Sequence, residues 1–176
     1  LLLTINSGIN AQCLTSGRYY EKIFSTKSTK GIQYGNAMKF DSTYVNLLFD
    51  IYEPAEDSLT PTRPLLIFAF PGSFTSGFRN SPDIVRLCNE FSQRGYVCAS
   101  IDYRLGFENG NDSDTNQLKA VFRGVQDMRA ALRFFYKDAS TNNEYRIDTN
   151  QIFIGGTSAG AFISLNHGYF KFNVSS

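Results

Sequence analysis

The chain has 176 residues, 42% of them apolar and 19% charged, with a formal net charge of +1. That balance suits one globular domain and leaves no charge excess with which to hold nucleic acid or a membrane surface. Three cysteines and a single histidine, His167, cannot assemble a metal cluster, so neither a metal nor a cofactor is expected.

In chain order, Leu1-Leu2-Leu3-Thr4-Ile5 followed by Asn10-Ala11-Gln12 reads as the tail of a signal peptide cleaved after Ala11, which predicts an exported, secreted or periplasmic protein. The other reading of this stretch is a buried N-terminal strand. Export would permit a disulfide, with Cys13 bridged to Cys88 or Cys98; the pairing stays open. Residues 12–31 are polar and mixed, and the run Ser25-Thr26-Lys27-Ser28-Thr29-Lys30 reads as a surface lead-in loop. The domain proper is expected over residues 32–176.

From Ile32 to Tyr52 apolar residues alternate on both sides of Asp41-Ser42-Thr43, the pattern of an antiparallel hairpin. After a proline-rich connection, Leu65-Leu66-Ile67-Phe68-Ala69-Phe70 is a continuous apolar run, which predicts a strand covered on both faces. Ser81-Pro82 then offers an N-cap and a first-turn proline for a helix that Gly95 ends, and Tyr96 to Ile101 is the next buried strand. Asp114 with Gln117 forms a capping pair ahead of a long helix whose apolar stripe is Leu118, Val121, Phe122, Val125, Met128, Leu132 and Phe135. Strands alternating with helices imply a parallel sheet, with ligands at the carboxyl ends of its strands. No stretch is long and apolar enough for a transmembrane helix.

The chemistry centres on Ile152-Phe153-Ile154-Gly155-Gly156-Thr157-Ser158-Ala159-Gly160, an apolar strand that stops in glycine and presents a serine at the start of a helix. Gly156-x-Ser158-x-Gly160 is the pattern of a nucleophile elbow, in which the serine backbone is strained and a side chain two residues to either side would clash. Ser158 is therefore the expected nucleophile, and Gly156 and Gly160 are its elbow glycines.

From about Val45 onward the chain resembles the N-terminal part of an α/β-hydrolase-fold carboxylesterase or lipase. Asp50-Ile51-Tyr52-Glu53-Pro54, Asp102-Tyr103-Arg104-Leu105, Ile147-Asp148 and the elbow follow one another in that family's order. Phe70-Pro71-Gly72-Ser73-Phe74 stands where the family carries a His-Gly-Gly-Ser-Phe type of oxyanion loop. Phe70 replaces the histidine and Pro71 a glycine. The resemblance implies an α/β fold, a mostly parallel sheet with helices on both faces, stopping here after the nucleophile helix. It also implies an oxyanion hole made by the backbone N–H groups of Gly72, Ser73 and Ala159, and a small-molecule ester as substrate.

In this family the acid and then the histidine follow the serine. His167 lies nine positions beyond Ser158 on what should be one helix, about 13 Å along its axis, too far to accept the serine proton. The triad acid and base are thus expected to be missing from this stretch. Two other functions share these features. One is an amide-cleaving relative resembling prolyl oligopeptidase, although that group usually has an aromatic residue where Thr157 stands. The other is a non-catalytic binding module that kept the fold.

Overall fold

A computed structural model describes residues 16–58, 60–108 and 113–169. Among these residues five strands, β1 (Thr26–Met38), β2 (Tyr44–Pro54), β3 (Arg63–Ala69), β4 (Val97–Ile101) and β5 (Ile147–Gly156), form one sheet in the order β1-β2-β4-β3-β5. The hairpin β1-β2 is antiparallel and meets β4 antiparallel, whereas β4, β3 and β5 run parallel. Three helices follow the parallel strands: α1 (Pro82–Ser92), α2 (Asp114–Ser140) and α3 (Ala159–Tyr169).

Strand register decides which helix covers which face. Phe68 lies opposite Ser100, and Ser100 opposite Asp50, so these three share a face; there Phe68 stacks on Phe91 of α1. Phe49, Ile101 and Ala69 alternate to the other face. On that side Phe49 packs edge-on against Phe134 and at a tilt against Phe135 of α2, and α3 lies beside α2, with Ile163 against Gly124. Leu65, Ile67, Val97 and Ile101 are fully buried between these layers, each side chain worth about 1.5–3 kcal/mol in burial. The expected α/β sheet with helices on both faces is therefore present.

Four expectations are corrected. The Ser25–Lys30 run was expected as loop, but Thr26–Lys30 is the first part of β1, with Thr26–Thr29 paired to Ile51–Pro54 of β2. Its side chains are mostly exposed at the sheet margin, so no apolar alternation betrays it, and the charged Lys27 and Lys30 protect the edge. The long helix starts at Asp114, with Ser113 at the cap position, one residue before the expected cap. Its buried stripe is Ala120, Gly124, Val125, Asp127, Met128, Ala131 and Phe135, while Leu118 faces outward. A small residue wins its place at Gly124 because Ile163 of α3 packs so closely there that a Cβ would lie 2.6 Å from it. Ser81 does precede a helix with proline in its first turn, yet its hydroxyl makes no cap and instead donates to Asp83.

The lead-in is docked rather than loose. Ile23 and Phe24 donate their N–H groups to the carbonyl of Gln93 after α1, and Tyr19 donates to that of Arg94. Arg18 forks onto buried Asp57 at 3.0 and 2.7 Å. Burial by itself would raise the Asp57 carboxyl, but the hydrogen bonds and charge of Arg18, with Arg63 and Arg146 behind it, hold it below its usual value. A carboxyl lowered on folding adds stability above its unfolded pKa and loses it as the pH falls through the folded one. Asp57→Asn is therefore expected to cost about 2 kcal/mol at neutral pH, and the gap from wild type should close as urea melts are taken from pH 7 to below about 4. A gap that does not change with pH would refute this account. Among the described residues Cys88 and Cys98 form no disulfide, and both are fully buried; the expected pairing with Cys13 and the expected signal-peptide remnant at residues 1–11 lie outside the described residues.

Candidate active site

The elbow is built by the end of β5 turning sharply into α3. Ser158 sits at φ 49°, a left-handed backbone that a serine adopts only where its surroundings enforce it. The enforcement comes from backbone packed against the end of β3. A Cβ on Gly160 would lie 2.0 Å from the carbonyl oxygen of Ala69, and one on Gly156 would lie 2.5 Å from the same atom. Both elbow glycines are thus required by close approach, as the sequence pattern predicts. The Ser158 side chain is exposed, and Ala159 behind it is buried.

The loop after β3 is strained in its own way. Gly72, Ser73 and Phe74 have φ of 142°, 50° and 62° in succession, and a Cβ on Gly72 would meet the Ser76 carbonyl oxygen at 1.9 Å. The conformation is held from several sides. Thr75 and Ser76 donate their N–H groups to the Gly72 carbonyl, and Gly106 donates to that of Phe74. Phe70, in the place of the family histidine, is buried and stacks on Tyr103 with ring centres 4.3 Å apart, while the Tyr103 hydroxyl donates to the Phe70 carbonyl at 2.9 Å. An aromatic stack thus braces the loop root where the family carries a histidine.

Farther along the loop Arg79 is clamped between two carboxylates, Asp50 at 2.7 Å and Asp102 at 2.8 Å. Asp102 is therefore engaged away from Ser158. Burial raises its carboxyl more than Arg79 lowers it. Asp148 is likewise a turn residue, accepting from the Asn150 N–H and the Gln151 amide.

Ser73, Ser158 and Ala159 line one cavity of about 680 Å³, together with Phe74, Thr75, Phe107, Gln117 and Phe162. The sequence-predicted serine and two of the three predicted donors thus meet in one space; Gly72 lies next to it. The amide N–H groups of Gly72, Ser73 and Ala159 have no backbone acceptor among the described residues, which leaves them available to a ligand oxygen. The described lining holds no histidine and no carboxylate. His167 is in the last turn of the unbroken helix α3, half-buried, with its pKa lowered by burial and by the charge of Arg129. The helix keeps it away from Ser158, as its spacing predicts. Among the described residues there is no group of three or more side chains able to hold a metal ion, and no helix long and apolar enough to cross a membrane.

One neighbour of the elbow escaped the sequence reading. Asp83, in the first turn of α1, accepts a hydrogen bond from the Thr157 hydroxyl at 2.6 Å and another from Ser81 at 2.8 Å. Its position after Ser81-Pro82 marks a helix start, but nothing in the sequence ties it to the elbow 74 residues on.

A solved truncated carbohydrate esterase from gut microbiota shares the fold at a TM-score of 0.57 and 22% identity, over 82% of this chain and 43% of that one. Esterase 2 of Thermogutta terrifontis, phosphonylated by sarin, aligns at a TM-score of 0.58 and 26% identity over 84% of this chain and 46% of its own. A bacterial heroin esterase aligns at 0.56 and 22%, over 82% and 38%. The chain thus spans less than half the length of these structures. No curated protein matches its sequence. The profile of the BD-FAE family matches residues 49–175, most of the chain and every residue of the cavity described above, and the chain belongs to that family.

Proposed function

We propose that the protein is a serine hydrolase that cleaves small-molecule carboxylic esters through an acyl-enzyme on Ser158. The observation that carries this reading is the shared cavity, where an exposed serine hydroxyl in a strained elbow stands beside the unengaged amides of Ser73 and Ala159. The likeness to solved esterases supports ester as the substrate class. In the proposed reaction Ser158 Oγ bonds to the ester carbonyl carbon. The carbonyl oxygen takes up negative charge against the N–H groups of Gly72, Ser73 and Ala159, where the α3 helix dipole adds to the attraction. The serine proton passes to a base and from it to the leaving alcohol; water then releases the acid by the same route. The base and its carboxylate partner belong, in this proposal, to further sequence of a longer chain, and the protein acts after export.

The test is reaction of the full-length protein with a fluorophosphonate probe, followed by peptide mapping. A single adduct on Ser158 is expected. No adduct, or one on another residue, would overturn the assignment.

A further inference from the structure

Thr157 joins β5 to the nucleophile position, and its backbone hold on the sheet is weak: its N–H reaches the Ala69 carbonyl at 3.4 Å, the long end of a hydrogen bond. Its hydroxyl is held far better, at 2.6 Å from Asp83 Oδ2. The other oxygen of the same carboxylate accepts from Ser81 at 2.8 Å. Ser81 ends the loop that begins with Gly72 and Ser73, and Thr157 begins the turn that carries Ser158 and Ala159. One carboxylate therefore ties together the two backbone segments that bring Ser73, Ser158 and Ala159 to the cavity. Burial would raise the Asp83 carboxyl, yet the Thr157 and Ser81 hydroxyls and the amides of its own helix turn outweigh it and lower the pKa, which keeps the group an acceptor at neutral pH.

We propose that Asp83 is a positioning residue which, through Thr157, sets the elbow against the loop of Gly72 and Ser73 and so fixes where the Ser158 hydroxyl and the Ala159 amide point. This inference rests on the reading of Ser158 as nucleophile. A charge-assisted hydrogen bond stabilises about twice as strongly as a neutral one, and a small misplacement of reacting groups lowers turnover more than binding. Phe74, Phe107 and Phe162, which provide the apolar walls of the cavity, are not touched by this contact, so KM should be little affected.

The experiment compares full-length wild type with Thr157→Val, Thr157→Ser, Asp83→Ala and the double variant Asp83→Ala/Thr157→Val. Each is assayed for nitrophenyl acetate turnover, for the rate of fluorophosphonate labelling and for melting temperature. Thr157→Val and Asp83→Ala are each expected to lower kcat and the labelling rate by about tenfold, with KM within about twofold. The double variant should be no slower than the slower single by more than about twofold, because both remove one contact. Thr157→Ser should recover most of the loss seen in Thr157→Val.

With an active wild type, unchanged kcat in Thr157→Val, additive losses in the double variant, or a Thr157→Ser no better than Thr157→Val would each overturn the proposal while leaving the nucleophile intact. If Asp83→Ala does not fold, the isosteric Thr157→Val and its partner Thr157→Ser decide by themselves. A wild type that neither turns over nor labels would instead bring down the assignment of Ser158, and this inference with it.

Discussion

Ser158→Ala is expected to abolish ester cleavage by the full-length protein, lowering kcat by a factor on the order of 10⁶, the scale seen when a triad serine is removed. The loss should be chemical, not structural. The side chain is exposed and has no hydrogen-bond partner among the described residues, so its oxygen supports no packing. The left-handed backbone at this position burdens alanine about as much as serine. Melting temperature should therefore stay close to that of wild type, a change within about 0.5 kcal/mol. Short-chain nitrophenyl esters and a thermal melt check both halves. A folded variant that keeps wild-type turnover would show that the chemistry lies elsewhere.

If the base lies in further sequence of a longer chain, as proposed, the 176 residues expressed by themselves are expected to hydrolyse esters at least about a thousandfold more slowly than a form that carries that sequence. They should also melt over a broad range and associate. The sheet order places β5 at an edge, paired only with β3 among the described residues. Phe153 on that strand is 54% exposed, and Phe162 and Leu165 on α3 are 59% and 62% exposed. An open strand edge beside an apolar patch invites pairing with other copies. The chemical shortage has the same origin, since neither a histidine nor a carboxylate lines the described cavity. Light scattering, thermal melts and esterase rates of the two forms decide the matter. A 176-residue chain that melts cooperatively and matches the extended form would refute the expectation, and His167 would then have to be reconsidered as the base.

Features made by neighbouring residues could be read from the sequence, because their physics is local. Gly156 and Gly160 around Ser158 announce a strained turn, since a Cβ on Gly156 would lie 2.6 Å from the carbonyl carbon of Gly160, four residues on. The unbroken apolar run of β3 announces a strand covered on both faces, and the spacing of His167 along one helix already separates it from the serine. Features made by distant partners could not be read in this way.

Thr26–Lys30 becomes a strand because β2 offers it hydrogen bonds, although its own side chains carry no alternation. Leu118 turns outward and Ala120 and Gly124 inward because α3 packs closely against the stripe, with Ile163 filling the space at Gly124. Phe70 can occupy the place of the family histidine because Tyr103, 33 residues on, stacks against it. Asp83 meets Thr157 across 74 residues of sequence. Local pattern determined which residues turn, bury and expose a serine, whereas tertiary pairing decided what holds that serine in place, since a hydrogen bond or ring stack between remote residues leaves no periodicity in the chain.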